Sequence, residues 1–421
     1  MKIKLIAPAW RDRLWQGVTT LFPPLNLALI AALTPKEHQV TISDESIEEI
    51  DFSEPVDLVG ITAMTAVAPR AYQIGDRFRD QGVKVVIGGI HASACPAEAG
   101  EHADAVVVGE AEGNWPRLLE DLEKGRLKPV YYQEERPSLI GLPIPRRDLY
   151  KEGAYFMSNT VQTTRGCPYS CSFCAVTNFF GRSYRTRPVS EVIAEVKSLP
   201  EGNIVFVDDN IIANRSYAKE LFSALIPLKK TWISQGSLHI AEDDELLELA
   251  VASGCRGLFV GIESLSPRSI YKIGKNFNRV RDYEGQLRKI QKAGIGVEGA
   301  FIFGFDEDDP AVFKRTVDFA IKNKLACAQF GILTPFPGTP FYQQIDDRGL
   351  IFDRDWANYT ISRPVFHTRL LNIPDLESGF RWAWKKFYSL PSIMQRIKPW
   401  RKSAPLLWTI NIAFRKYVNN L

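Results

Sequence analysis

Three of the six cysteines fall within eight residues, Cys167-Pro-Tyr-Ser-Cys171-Ser-Phe-Cys174. Thiolates spaced four and three residues apart can wrap one side of a cubane iron-sulfur cluster, which leaves a fourth iron without a protein ligand and open to a small molecule. Structural zinc usually takes four ligands, and no nearby Cys or His completes a set; the closest histidine downstream is His239. A redox-active thiol set is the other reading of such a grouping in a reducing compartment. Cys95, Cys255 and Cys327 stand alone among apolar or small residues and read as buried core thiols.

Other segments carry chemistry at the ends of apolar runs. Phe206-Val-Asp208-Asp209-Asn210 ends one run and Gly261-Ile-Glu263-Ser264 another. A carboxylate placed like Glu263 can accept hydrogen bonds from vicinal ribose hydroxyls, and a solvated loop acid is the plain alternative. Asp208 and Asp209 read equally well as helix N-caps. Val85-Val-Ile-Gly88-Gly89-Ile-His91 sets paired glycines after a run of β-branched residues. Without a Cβ, such backbone can lie against a flat or phosphorylated ligand. His91 itself reads as a turn or packing histidine more readily than as a ligand.

These residues need elements to position them. Over the first 130 residues short β-branched runs alternate with amphipathic stretches, the pattern of a doubly wound parallel sheet. The strands expected are Lys2 to Ala7, Gln39 to Ser43, Leu58 to Thr62, Lys84 to Gly88 and Ala105 to Val108, with helices at Leu25 to Leu33, Pro69 to Gln81 and Asn114 to Lys124. Ligands of such sheets bind beyond the carboxyl ends of the strands, so the loops starting at Pro8, Asp44, Thr62, Gly88 and Gly109 matter most. Pro137, Pro143 and Pro145 mark a linker. Six further strand-then-helix units follow, with strands near Thr160 to Thr164, Asn203 to Val207, Thr231 to Gly236, Gly257 to Gly261, Gly296 to Ile302 and Cys327 to Leu333. That is two short of a closed eight-stranded barrel, so a partial barrel, open along one side, is expected. The resulting division is 1–136, a linker over 137–150, a barrel over 151–345, and a C-terminal region over 346–421.

Composition narrows the setting. A chain of 421 residues needs more than one core, and a net charge of +3 gives no reason to expect nucleic acid. The opening MKIKLIAPAW has neither a long apolar stretch nor a small-residue cleavage site, which points to the cytoplasm. Beyond Glu377 no acid occurs, while Arg381, Lys385, Lys386, Arg396, Lys398, Arg401, Lys402, Arg415 and Lys416 are interleaved with Trp382, Trp384, Trp400 and Trp408. Such a region can settle on anionic lipid at the inner membrane face, or serve as a helical cap over the barrel with solvated lysines. Its longest apolar stretch, Pro405 to Phe414, is too short to span a bilayer.

The Cys167 to Cys174 loop, with the aromatic Phe173 before its last cysteine, resembles the radical S-adenosylmethionine (SAM) superfamily. The resemblance implies a partial (β/α)6 TIM-type barrel and a 4Fe-4S cluster on Cys167, Cys171 and Cys174. It also implies reductive cleavage of SAM to a 5′-deoxyadenosyl radical, fed by an external donor such as flavodoxin or ferredoxin. It extends to Asp208 and Asp209 after strand two, to Glu263 and Ser264 after strand four, and to Gly299-Ala-Phe-Ile-Phe-Gly304 after strand five. Thr334-Pro335-Phe-Pro-Gly-Thr-Pro340 follows strand six, and all of these are implied SAM contacts.

Gly88, Gly89 and His91, followed by Asp104-Ala-Val-Val-Val-Gly109-Glu110-Ala-Glu112 and preceded by Phe22-Pro-Pro-Leu-Asn-Leu, resemble the Rossmann-like cobalamin-binding domain fused ahead of many such enzymes. Thr62, Thr65, Gly88, Gly89, His91, Gly109 and Glu110 are then implied cobalamin contacts. One departure is informative: there is no Asp-x-His-x-x-Gly loop. Cobalamin would therefore bind with its base displaced and no histidine beneath the metal, its lower face over the loop from Met64 to Tyr72. The implied reaction is methylation of an unactivated carbon in a lipid, isoprenoid, tetrapyrrole or other small molecule. Oxidation, cyclisation or rearrangement with the same cofactors, as in anaerobic magnesium-protoporphyrin cyclase, is the second enzymatic reading. A non-catalytic cluster or corrinoid carrier is the third, and it would require a closed four-ligand cluster.

Overall fold

The computed structural model of the protein describes residues 1–10, 22–397 and 404–418. Of the basic, aromatic tail, Lys398, Trp400, Arg401 and Lys402 lie outside the described residues. Strands β1 (Lys2–Ala7), β2 (Gln39–Asp44), β3 (Leu58–Thr62), β4 (Lys84–Gly88), β5 (Ala105–Val108) and β6 (Val130–Tyr132) form a parallel sheet in the order β2-β1-β3-β4-β5-β6. Both of its faces are covered, which is why its strands read as nearly unbroken apolar runs. Ile3 and Leu5 of β1 point to one side with Leu27 and Trp115, and Ile6 points to the other with Phe78. Strand order reverses between β1 and β3, which opens a crevice at their carboxyl ends. The edge strand β6 was not anticipated, because Val130–Tyr132 is only three residues long and runs straight into the proline-rich linker.

The second sheet is built from β7 (Thr160–Val161), β10 (Ile204–Phe206), β11 (Trp232–Gly236), β12 (Cys255–Glu263), β13 (Gly296–Phe303) and β14 (Cys327–Ile332). These run parallel in chain order and do not close, the open six-stranded partial barrel that the spacing predicts. One predicted strand is corrected. Thr160 to Thr164 is not continuous: β8 (Thr164–Arg165) leaves the sheet and pairs antiparallel with β9 (Arg185–Thr186). The Asp208 carboxylate draws it away. Its Oδ1 accepts hydrogen bonds from Thr163 N at 3.0 Å, Thr163 Oγ1 at 2.9 Å and Thr164 Oγ1 at 2.6 Å, and from the Thr164 amide as well. Donors that would have served the sheet ladder serve a buried anion instead.

For the residues that can be followed, the C-terminal helices cap the edge of the barrel sheet. β14 is an edge strand, and the helix Ile373–Phe387 lies along it. Trp384 Nε1 donates to Phe330 O at 3.0 Å, and the Tyr388 hydroxyl meets Ala328 O at 2.9 Å and Ala328 N at 3.2 Å. Arg396, buried, donates to Leu325 O at 2.8 Å and Asn411 Oδ1 at 2.8 Å. Side chains thus occupy the ladder positions a seventh strand would take. Among the described residues no helix is long and apolar enough to cross a membrane.

Candidate functional site

The cysteine loop leaves β8 through Gly166, whose φ of 84° suits only glycine and whose amide donates to Asp209 Oδ2 at 3.2 Å. Asp208 and Asp209 are therefore not helix caps; Asn214 caps the helix that follows. They grip the chain at Thr163, Thr164 and Gly166, just ahead of Cys167. Burial pushes both carboxyls up to about 6, against the hydrogen bonds that favour their ionised forms. Further along, Ser172 N donates to Ile273 O at 2.9 Å and Phe341 N donates to Ser172 O at 3.0 Å, so the loop is tied to the ends of two barrel units. Tyr169 stacks on Phe277 at 3.5 Å between centroids, and Phe173 packs against the apolar group around Ile273 and Phe341. His239 is engaged with Phe277 O at 2.9 Å.

All three cysteines are free and half-buried. Burial pushes each thiol up, Cys171 to about 12. Metal must displace their protons, and a cation nearby eases that. Lys275, which the sequence did not single out, supplies it. Its Nζ lies 2.7 Å from Glu263 Oε1 and donates to Gly261 O at 2.8 Å. Burial works against its charge, but Glu263, Cys171 and Cys174 hold its pKa above the usual lysine value. Glu263 itself sits at φ 64° at the end of β12, a conformation rare for a residue with a side chain. Ser264 beside it is buried and accepts from Ser266 N at 3.1 Å. Gly304, at the end of β13, has its amide and that of Phe305 fixed by Asp308 Oδ2 at 2.9 and 3.0 Å. Pro335 is buried in the segment after β14, which reaches the cysteine loop: a Cβ on Gly338 would stand 2.6 Å from Asn178 Nδ2.

A cavity of 430 Å³ lies between the carboxyl ends of the first sheet and the barrel. From the sheet come Leu5, Gly60, Thr62, Gly88, Gly89 and Gly109, from the linker Leu142, Pro143 and Pro145, and from the barrel Gln162, Arg165, Phe179 and Phe180. The linker is therefore part of the wall. Gly89 has φ 103°, and a Cβ there would stand 2.8 Å from Ala63 O. Glu110 faces the barrel: it pairs with Arg165 at 2.7 Å and with Arg185 at 2.7 Å, and Glu112 joins at 2.5 Å from Arg165. This buried network, missed in the sequence, bolts the residue two before Cys167 to the first sheet. The only signal for it was an arginine inside an otherwise uncharged run.

Two of the implied cobalamin contacts lie away from the cavity. Neither His91 nor Thr65 lines the cavity. The helix Ile90–Ala94 begins at once after Gly89 and turns the His91 ring inward, where it packs 5.2 Å from Trp356 and 6.2 Å from Tyr72. Thr65, in the turn Thr65–Val67, is buried against the turn Trp356–Asn358. A mainly apolar cleft with exposed glycine backbone suits a broad, flat ligand, and three half-buried thiols on one short loop suit a cluster with one open iron.

Comparison with known proteins agrees with both halves. The Radical SAM superfamily matches residues 161–320, and the B12 binding domain matches residues 17–119. Bacteriochlorophyllide d C-12(1)-methyltransferase of Chlorobaculum tepidum is 33% identical over 94% of this chain and 89% of its own length. The C-8(2)-methyltransferase of the same organism is 33% identical over 80% of this chain and 78% of its own. Among solved structures, the radical SAM methyltransferase TsrM from Kitasatospora setae superposes with a TM-score of 0.72 at 18% identity, over 100% of this chain and 97% of its own, which shows the shared fold. The chain is an enzyme that works with a 4Fe-4S cluster, SAM and cobalamin, and it belongs to the family of cobalamin-binding radical SAM methyltransferases.

Proposed function

We propose that this enzyme transfers a methyl group to an unactivated carbon of an apolar, polycyclic small molecule, a tetrapyrrole in the first instance. One observation carries the reading: Arg165, two residues before the first cysteine of the loop, lines the glycine-rich crevice of the first sheet and pairs there with Glu110. The bacteriochlorophyllide methyltransferases named above support the substrate class. When bound, the cluster and SAM supply a 5′-deoxyadenosyl radical, and cobalamin supplies the methyl group.

The chain's own residues position and shield. Cys167, Cys171 and Cys174 hold the iron. Lys275 offsets the negative charge that three thiolates bring into a half-buried loop and keeps Glu263 oriented. Glu263 and Ser264 receive the ribose and amino-acid portion of SAM, and Gly304 and Pro335 border its adenine. Phe173 covers the loop on its barrel side, while Asp208 and Asp209 act as positioning residues. Thr62, Gly88, Gly89 and Gly109 floor the corrin, with Phe179 and Phe180 excluding water from the opposite wall.

The division at 1–136, 137–150, 151–345 and 346–421 follows the same logic, since the linker residues join the cleft wall. Electrons come from a flavodoxin- or ferredoxin-type donor. Peripheral membrane contact uses Trp382, Leu390 and Met394, which are exposed on the C-terminal helices beside Arg381, Lys385 and Lys386. Failure to co-sediment with anionic liposomes at low salt removes that contact.

The decisive assay incubates the reconstituted holoenzyme anaerobically with reductant, methyl-labelled SAM and chlorophyllide-type tetrapyrroles. Methylation yields S-adenosylhomocysteine and 5′-deoxyadenosine together with labelled product. Formation of 5′-deoxyadenosine without S-adenosylhomocysteine defeats it.

A further inference from the structure

Away from the cleft, His91, Cys95 and Glu98 lie on the consecutive helices Ile90–Ala94 and Pro96–Glu101 and at the bend between them. Their spacings of four and three residues put them on one side of the chain. One ligand atom from each falls within 4.8 Å of the others, and among the described residues no other group of three or more such donors converges in this way. The three loop cysteines do not, as a cluster with several irons requires ligands spread farther apart than a single ion does.

The His91 ring is 0% exposed, yet neither of its nitrogens has a hydrogen-bond partner. The nearest acceptor, Glu98 Oε1, stops 3.6 Å from Nε2, beyond hydrogen-bond reach. The buried Tyr72 hydroxyl is a second polar group without a hydrogen bond of normal geometry, and the Glu98 carboxylate lies near it. An imidazole is seldom buried with both nitrogens idle, because the lost water is not replaced.

We propose that His91, Cys95 and Glu98 bind one zinc ion, with a fourth position open to water. The donor set suits zinc: a thiolate and an imidazole are poor ligands for magnesium or calcium. One thiolate and one carboxylate balance the charge of the ion. Zinc-ligand distances of about 2.0–2.3 Å place tetrahedral donors roughly 3.3–3.8 Å apart, and the His91 to Glu98 separation of 3.6 Å already matches. Cys95 and Glu98 are half-buried, which leaves room for the water. The second layer is in place as well: Trp356 Nε1 donates to Glu98 Oε2 at 3.0 Å and fixes the carboxylate. Because Trp356 follows the barrel by a dozen or so residues, the ion clasps the first sheet's helices to the segment beyond the barrel. The site does not depend on the methylation reading.

The test uses the holoenzyme with its cluster in place, titrated with zinc alone and analysed for iron and zinc together. Expected is one zinc per chain beside the cluster iron, with zinc affinity lowered at least tenfold in His91→Ala and in Cys95→Ser while iron content is unchanged. The retained iron shows that the variants are folded. X-ray absorption at the zinc edge of the unmutated holoenzyme should show a single sulfur ligand, replaced by oxygen or nitrogen in Cys95→Ser. Zinc bound equally by both variants, no zinc beyond background, or a zinc edge dominated by several sulfurs would each overturn the proposal. If a variant loses iron as well, the edge spectrum of the unmutated protein decides alone.

Discussion

The cysteine loop and the crevice of the first sheet are built from different materials. On the barrel side the loop is set by buried charge: Asp208 and Asp209 grip its entrance, and Lys275 with Glu263 stands behind Cys171. On the sheet side the wall is backbone and hydrocarbon, with Gly60, Gly88 and Gly109 among Leu5, Val86, Val107 and Trp115. The contrast suits the ligand proposed for each. A small, highly charged centre is held by a few fixed charges, each of which matters greatly. A broad, flat ligand is held by shape and close approach, and its binding energy is spread over many contacts.

That contrast predicts steep losses on one side and graded ones on the other. The steepest is Cys171→Ala, which should lose essentially all cluster iron and all 5′-deoxyadenosine formation while cobalamin still binds. Iron analysis and a cobalamin titration on one sample check both halves, and loss of cobalamin binding as well would mean that the walls are not independent. Next is Glu110→Gln, which breaks the comparison deliberately because Glu110, with Glu112 beside it, makes the charged exception on the sheet side. It leaves Arg185 without a buried partner, and removing one member of a buried ion pair costs about 3–5 kcal/mol. Urea unfolding should show that loss. A change under about 1 kcal/mol would place the network among weak surface pairs.

What could be read from the sequence divides along the same line. Local signals were legible: the cysteine spacing, the β-branched runs of β3, β4 and β5, and the six units of the barrel all rest on neighbours a few residues apart. Interactions between distant residues were not. The break after Val161 depends on Asp208, more than forty residues later, and nothing within Thr160 to Thr164 announces it. Lys275 carries no mark in its own stretch and matters only because the chain returns it to Glu263 and Cys171. The aromatic tail gave two readings because amphipathic composition does not say what its aromatic face covers; β14, with an unpaired edge, answers that. His91 had two readings, and the helix that starts after Gly89 gives it the packing one rather than a place in the cavity.

Adjacent glycines sharpen the graded side. A Cβ on Gly88 meets Val107 Cβ at 3.6 Å and Val107 O at 3.7 Å, both ordinary contacts, so Gly88→Ala should fold normally and weaken cobalamin binding about tenfold, or about 1.4 kcal/mol. Gly89→Ala has no such freedom, and its φ of 103° should cost on the order of 1–3 kcal/mol of stability. Thermal unfolding with and without cobalamin separates the two. Equal effects would mean that the crevice is not where the corrin lies.

The smallest expected effect concerns Asp308, a buried carboxylate that shapes the Gly304 turn through backbone amides and has no salt-bridge partner among the described residues. Burial pushes it up to about 6 from 3.8. The folded chain therefore holds this proton more tightly than the unfolded chain does. Its contribution to stability is full below about pH 4, declines as pH rises towards 6, and is gone above that. Asp308→Asn should flatten this part of the pH profile, by an amount on the order of 1–2 kcal/mol between pH 4 and 7. Urea unfolding of both proteins across that range measures the difference. Parallel profiles would show that Asp308 is ionised as easily in the folded chain as in water, and that buried charge sets the cysteine loop but not the turn at Gly304.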